Sequence, residues 1–310
     1  MEDRIDYPKR RRRGNATVLP YSVMSDEEAA LVTAHRFPQA VLFLARRFIS
    51  IHETAPRVGG LFATQQRWLM CHAALGHYFR GIRAGGPGLT RRNFGQLALR
   101  YGISSRNTAL AFCDEALQYE VIRAVENRSG ELEPCPATLA LLTGWYDTHL
   151  RALDLIDDGN RAMRFLTHPH DVLSVVAPLT ADRLLSNSHV RSPGTLYTIF
   201  SWAEAGGLLM DRLIAGADLH MPDGHGSFVT DVTSISSLAE AFKLSRPHTG
   251  RKLSAAEAVG AIGWTGRRGH SPIWIARAFY EEYAVAQARK LNILEHAFEE
   301  AMTMLASTAQ

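Results

Sequence analysis

The sequence predicts a mainly α-helical fold containing two similar units. Each is a pair of short helices across a tight turn, followed by a β-hairpin, and longer helices join and flank the two. Three observations carry this. Apolar residues recur at helical spacing through most of the chain, while strand-like alternation is scarce. The stretch LALRYGISSRNTALAFC at 97–113 has a near-copy of its spacing in LAEAFKLSRPHTGRKLS at 238–254. Each copy is followed by hairpin punctuation, in VIRAVENRSGELE at 121–133 and GWTGRRGHSPIWIA at 263–276.

A chain of 310 residues with 46% hydrophobic content has room for two ordinary cores. No run approaches 18 apolar residues, and the basic N-terminus continues into GNATVLPYSVMSDEE instead of an apolar segment. Neither a membrane span nor a secretory signal is therefore expected, and the expected location is the cytoplasm. Cys71, Cys113 and Cys135 are odd in number and lack CxxC spacing, which argues against a disulfide framework and a structural zinc site. Residues 1–13 hold six cations against three acids, a balance of +3 that equals the net charge of the whole chain. The body is thus neutral overall, and affinity for a polyanion must come from local patches and the arm Lys9, Arg10, Arg11, Arg12 and Arg13.

In chain order, Ser25 caps a helix over 25–53 that Pro38 breaks or kinks, and 64–82 forms another that ends before RAGGPG at 83–88. Thr90 caps RRNFGQLALRY, Gly102 stops it, and Ser104 is read as the cap of the next helix. The first hairpin turns at Asn127–Gly130. In the second half, 192–216 reads as one long apolar helix, MPDGHGS at 221–227 as a glycine-rich loop, and 233–243 as a short helix. Ser245 opens the following helix, with Pro247 tolerated in its first turn, and the second hairpin has its tip at Arg267–Gly269. A shift of 141 places Leu97 on Leu238, Ala98 on Ala239, Tyr101 on Phe242, Ile103 on Leu244, Ser104 on Ser245 and Thr108 on Thr249. That alignment predicts an unbroken phase through both copies. The resulting division is an arm at 1–20, a first unit at 21–136, a helical connector at 137–191 and a second unit at 192–310.

Helix, helix, recognition-like helix and hairpin is the order of a winged helix-turn-helix. Over roughly 61–150 and 193–308 the chain resembles winged helix-turn-helix transcription regulators, most nearly the MarR-like group. Those regulators usually carry one module per chain and dimerise, so two modules here imply a dimer built in cis. The resemblance implies a transcription regulator that binds double-stranded DNA at the nucleoid, with RNA polymerase, another regulator or a second copy of the chain as further partners. It also leaves room for a few aromatic side chains to line a pocket between the modules, although Trp68, Trp145, Trp202, Trp264 and Trp274 read first as core and wing packing.

Residue chemistry points the same way. A helix in the major groove reads bases with its first two turns. In copy one these are Ser104, Ser105, Arg106, Asn107 and Thr108; in copy two they are Ser245, Arg246, His248, Thr249, Arg251 and Lys252. Arginine pairs with guanine and asparagine with adenine in a bidentate manner. Arg91 and Arg92, at a helix start, suit phosphate contacts. The second wing offers Arg267, Arg268 and His270, whereas the first sets Arg123 and Arg128 among Glu126, Glu131 and Glu133. Copy two is therefore expected to bind DNA more strongly.

Two alternatives remain. One is a protein-interaction module on winged domains that have lost DNA contact, as the acidic first wing suggests. The other is a metal-dependent enzyme using His168, His170 and Asp171, or His220, Asp223 and His225. Neither histidine group has a compact ligand spacing, GHGSF around Ser227 is no nucleophile elbow, and no phosphate-cradling glycine loop occurs. No cofactor, metal or catalytic residue is expected.

Overall fold

Ser25 opens α1 (Asp26–Thr33) with a reciprocal cap: its Oγ accepts from the Glu28 N–H at 3.1 Å, and the Glu28 carboxylate accepts from the Ser25 N–H at 3.4 Å. The computed structural model describes residues 24–54, 64–86, 88–201, 205–222 and 226–308, with only the backbone for 220–222 and 308. The basic arm Lys9–Arg13, Trp202, Asp223, His225 and the side chain of His220 lie outside the described residues. The helix predicted over 25–53 is two helices. The chain breaks after α1, and α2 (Phe37–Thr54) starts beside Pro38, so the proline sits in a first turn where its missing N–H costs nothing.

The first unit follows as α3 (Gln65–Ala84), β1 (Leu89–Thr90), α4 (Arg91–Arg100), α5 (Arg106–Gln118), β2 (Ile122–Ala124) and β3 (Glu131–Pro134). Its strands form an antiparallel sheet in the order β1-β3-β2, so the strand before the helix pair closes on the hairpin after it. Then come α6 (Pro136–Asp157), α7 (Arg161–Thr167), α8 (Pro169–Ser186) and α9 (Ser188–Arg191), which fill the predicted connector. The stretch 192–216 is not one long helix: α10 (Thr195–Ser201) and α11 (Gly206–Ala215) are separate, and Ala205 before α11 is left-handed at φ 52°. The second unit continues with β4 (Ala217–Pro222), β5 (Phe228–Thr230), α12 (Ile235–Ala241), α13 (Arg246–Ala258), β6 (Ile262–Trp264) and β7 (Ile273–Ile275), in sheet order β4-β5-β7-β6. Part of the segment read as a glycine-rich loop is therefore strand, since His220, Met221 and Pro222 complete β4. The 32-residue α14 (Arg277–Thr308) ends the described chain.

The two copies superimpose, with one correction. The residue after the turn is Ile103 in copy one and Leu244 in copy two, and each N–H donates at 2.9 Å to a carbonyl five residues back, Ala98 and Ala239, which keeps the shift of 141. Past that point the shift is 140. Ser105, not Ser104, caps α5, its Oγ accepting from Thr108 N at 3.2 Å as Ser245 Oγ accepts from His248 N at 3.3 Å. Copy one holds an extra residue in the turn, so Thr108 matches His248 and not Thr249. Two left-handed positions recur in each copy, at Gly102 and Lys243 before the second helix and at Glu120 and Gly260 after it. Each copy thus places a glycine at one of the two sites, where an L-residue is strained by positive φ, and a polar residue at the other.

Two hydrophobic clusters result. The smaller belongs to the first unit, where Phe94, Leu97, Ile103, Phe112 and Leu132 pack with Leu69 of α3 and Leu184 of α8. The larger joins the second unit to α2, α6, α7, α8 and the length of α14. The connector and α3 both grip the first turn: Arg191 donates to the Tyr101 carbonyl at 2.9 Å, and Gln66 of α3 donates to that of Ile103 at 2.9 Å.

The corrected cap is open to test. Ser105→Ala is expected to lower stability by about 1 kcal/mol, and Ser104→Ala, whose Oγ meets only Met70 Sδ and the Ser105 carbonyl, by less than about 0.5 kcal/mol. Urea denaturation of both variants checks this; a larger loss in Ser104→Ala than in Ser105→Ala would return the cap to Ser104.

Candidate functional site

The N-terminal ends of α5 and α13 face solvent. Arg106, Asn107 and Thr108 are exposed in the first, as are Arg246 and Arg251 in the second, with His248 and Lys252 half-buried. The serines do local work: Ser105 and Ser245 are caps, and Ser104 is half-buried. Thr249 is 0% exposed and its hydroxyl donates to the Ser245 carbonyl at 3.3 Å, so it packs the helix against the core instead of facing outward. Burial and the neighbouring Arg251 lower the Lys252 pKa.

The surrounding cations differ between the copies. Arg92 is exposed, but Arg91 forms a two-pronged bond to Asp114 of α5 at 2.7 and 2.6 Å, which raises its own pKa and lowers that of the acid. In the first hairpin, Arg123 donates to Glu133 at 2.8 Å and Arg128 to Glu131 at 3.4 Å. In the second, Arg267 and His270 are exposed, while Arg268 donates to Glu257 at 3.0 Å and to Ser254 at 2.7 Å, bracing the hairpin against α13.

A second feature lies deeper. A cavity of about 290 Å³ is bounded by α2, α3, α6, α9, α10, α11 and α14. Its walls are largely apolar and aromatic, including Phe48, Trp68, Trp145 and Tyr197. The His72 ring stands 4.8 Å from each of Trp68 and Trp145, and His149 lies behind Trp145 at 4.1 Å between centroids. Set into this wall are Asp211 and Lys290. The Tyr283 hydroxyl donates to the Asp211 carboxylate at 2.7 Å, and the Lys290 ammonium lies over the Phe48 ring at 5.7 Å. His52 Nδ1, Ser201 Oγ and Gln287 Oε1 also belong to lining residues, and each is buried without a hydrogen-bond partner.

Burial governs the electrostatics here. It raises the Asp211 pKa against the opposing effects of Tyr283 and Lys290, and it lowers that of Lys290 against the attraction of Asp211. It drives His72 down to about 3, helped by the Lys290 charge, and His149 down to about 3 despite its 2.7 Å bond to the Trp145 carbonyl. Both imidazoles are neutral near pH 7. Sequence reasoning classes Trp68 and Trp145 as packing and passes over Asp211, Gln287 and Lys290. The available signal is a lone acid inside GLLMDRLIAG and the helical spacing of Tyr283, Gln287, Lys290 and Leu294 along one face.

Of the histidine groups considered for metal, His168, His170 and Asp171 are exposed around the start of α8, the side chains of His220, Asp223 and His225 lie outside the described residues, and among the described residues no three His, Cys, Asp or Glu side chains gather as a metal site. All three cysteines are free, and burial raises their pKa values. No helix among the described residues is long and apolar enough to cross a membrane. Comparison with family models, curated proteins and solved structures finds no match to this chain.

The buried histidines set a pH dependence. Their folded pKa of about 3 lies below the ordinary 6.5, so the unfolded chain takes up protons first as pH falls. The stability they provide is present above pH 6.5 and lost toward pH 3, by up to about 1.4 kcal/mol per pH unit for each. Denaturation midpoints between pH 7 and 4 are expected to fall less steeply in His149→Gln than in the parent; an unchanged slope would show that His149 is not held neutral.

Proposed function

We propose that the chain is a sequence-specific duplex DNA-binding transcription regulator whose two strand-helix-turn-helix-hairpin units act as winged helix-turn-helix modules. The observation that carries this reading is the repeated topology, in which each copy leaves the N-terminal end of its second helix exposed with base-reading and phosphate-binding side chains. In copy one these are Arg106 and Asn107, and in copy two Arg246 and Arg251. Arginine in the major groove reads guanine and asparagine reads adenine. The wing cations Arg267 and Arg268 and the α4 cation Arg92 then hold the phosphate backbone and set register. Two such helices in one chain read two half-sites about one helical turn apart without needing a perfect palindrome, because their side chains differ.

Copy two carries the larger share of binding in this reading. Its wing has two cations and one neighbouring acid, whereas the first wing pairs both of its arginines with glutamates and Arg91 is held by Asp114. This self-neutralised surface also favours a second role for copy one, as a contact face for a protein partner.

Selection from a randomised duplex pool at two salt concentrations is expected to return a bipartite motif with half-sites about 10 bp apart. Replacing Arg246 and Arg251 together by alanine is expected to weaken binding at least tenfold. The slope of log affinity against log salt is expected to flatten by about 0.9 for each phosphate-neutralising cation that the substitution removes. A folded double variant that binds the selected duplex as the parent does would overturn the assignment of copy two as a reader. No retained duplex at low salt would overturn the DNA reading and leave the interaction module.

A further inference from the structure

The start of α4 is held by a hydrogen-bond chain that has room for only one protonation state of a histidine. Thr90 and Asn93 cap the helix reciprocally: Thr90 Oγ1 accepts from the Asn93 N–H at 3.1 Å, and Asn93 Oδ1 accepts from the Thr90 N–H at 2.6 Å. The Asn93 amide nitrogen then donates to the Gly88 carbonyl at 2.8 Å and stands 3.0 Å from His77 Nε2. These partners fix the orientation of the amide, because the Thr90 N–H requires its oxygen and the Gly88 carbonyl requires its NH2. An amide NH2 can only donate, so His77 Nε2 must be a bare acceptor, with the ring neutral and its proton on Nδ1. One asparagine thus ties together α3, the residue before β1 and the first turn of α4, on condition that His77 is uncharged.

A proton on Nε2 would set an N–H against the Asn93 NH2. Turning the amide over would cure that contact and spoil two others, at Thr90 and at Gly88. The charged ring also has an acceptor of its own in the Gly88 carbonyl, which favours the imidazolium. The other charges here come from four elements. Arg80 on α3 and Arg100 on α4 disfavour a further positive charge on the ring; Asp182 of α8 accepts from Arg80 at 2.8 Å; Glu131 of β3 lies against Gly88, where a Cβ would meet its carboxylate. His77 is half-buried, and burial, joined by the two arginines, lowers its pKa from 6.5 against the pull of the Gly88 carbonyl. The opened form therefore takes up a proton first, so the stability of the closed form is present above pH 6.5 and lost as the pH falls through the lowered value. Copy two is built differently: Ser234 caps α12 by accepting from the Ser237 N–H at 3.3 Å, and Ser237 stands at the cap position that Asn93 holds in copy one.

We propose that His77 and Asn93 form a pH-operated latch that fixes the start of α4 in copy one and releases it on acidification, a response that copy two does not share. The first turn of α4 carries exposed Arg92 and the Arg91 that is bound to Asp114 of α5, so release loosens the leading helix of one copy and leaves the other as it is. The latch belongs to the free chain, and its test needs no DNA.

Amide hydrogen exchange of the full chain, corrected for the intrinsic rate at each pH, tests this together with an NMR titration of the imidazoles. Between pH 7.5 and 5 the protection of the Thr90 and Asn93 amides is expected to fall about fivefold in step with His77, while that of Ser237 changes by less than about twofold. His77→Gln, whose Oε1 accepts from the same NH2 and takes up no proton, is expected to keep the protection at pH 7.5 and abolish the fall. Asn93→Asp keeps an acceptor for the Thr90 N–H but offers His77 a carboxylate oxygen, so the His77 pKa is expected to rise. Equal protection at both pH values in the parent would overturn the proposal, as would a neutral His77 that carries its proton on Nε2, read from the ring nitrogen shifts. A fall that persists in a folded His77→Gln chain, or an unmoved His77 pKa in a folded Asn93→Asp chain, would overturn it as well.

Discussion

α14 runs 32 residues, about 48 Å at the rise of an α-helix, and from Phe279 to Ala301 most of its side chains are buried. A helix enclosed on nearly every side must have each of its polar groups met by a neighbour, and much of the tertiary structure does this. Glu282 accepts from the backbone N–H groups of Leu196 and Tyr197 at 2.8 and 2.9 Å, satisfying the otherwise orphaned first turn of α10. Gly194 makes that approach possible, because a Cβ there would collide with the Glu282 carboxylate. Arg289 is matched by Glu28, which is also the third residue of the α1 capping box, so a single carboxylate both starts α1 and docks it. Glu295 and Asp157 meet Arg161 at 2.5 and 2.7 Å and fix α7. Gln287 Oε1, which has no hydrogen-bond partner, departs from this pattern, and it lines the cavity together with Lys290.

Such compensation is invisible in sequence because the partners lie far apart along the chain: 28 with 289, 161 with 295, 196 with 282. What can be read is local. Caps at Ser25, Thr90 and Ser245, the stop at Gly102 and the hairpin turns at Asn127–Gly130 and Arg267–Gly269 each depend on a few adjacent residues, and each stands in the structure. The errors share a cause. Ser104 and Ser105 are both competent caps, and only the extra residue in the first turn decides between them. The stretch 192–216 carries apolar residues at helical spacing along its length, so periodicity does not reveal the left-handed residue Ala205 at which α11 begins. β1, β4 and β5 are too short or too irregular for alternation to show, with β4 shifting register against β5 between Ala217 and Pro222.

The candidate surface is more legible than the cavity for the same reason. Exposed side chains at the start of a helix follow from the cap, and Arg106, Asn107, Arg246 and Arg251 stand where the caps put them. Their electrostatic neighbours do not follow. Asp114 reaches back from α5 to Arg91 of α4, and Glu257 reaches from α13 to Arg268 of the second hairpin. These two acids thus act within the protein, where they orient arginines that sequence alone shows without partners. Exposed pairs of this kind contribute little stability, so an arginine can leave its carboxylate for a stronger anion at low cost.

The position of the cavity follows from how the two units are joined. Trp68 and His72 come from α3, the leading helix of the first unit; Asp211 comes from α11, which leads into the second; Lys290 comes from α14, which follows the second hairpin. Equivalent helices flank both modules, and packing them against one another buries their apolar faces but does not fill the space where they meet. The void therefore lies where helices of both units meet. Its aromatic wall belongs largely to α2, α3 and α6 and its charged groups to α11 and α14, so each half of the chain supplies a different part of its lining.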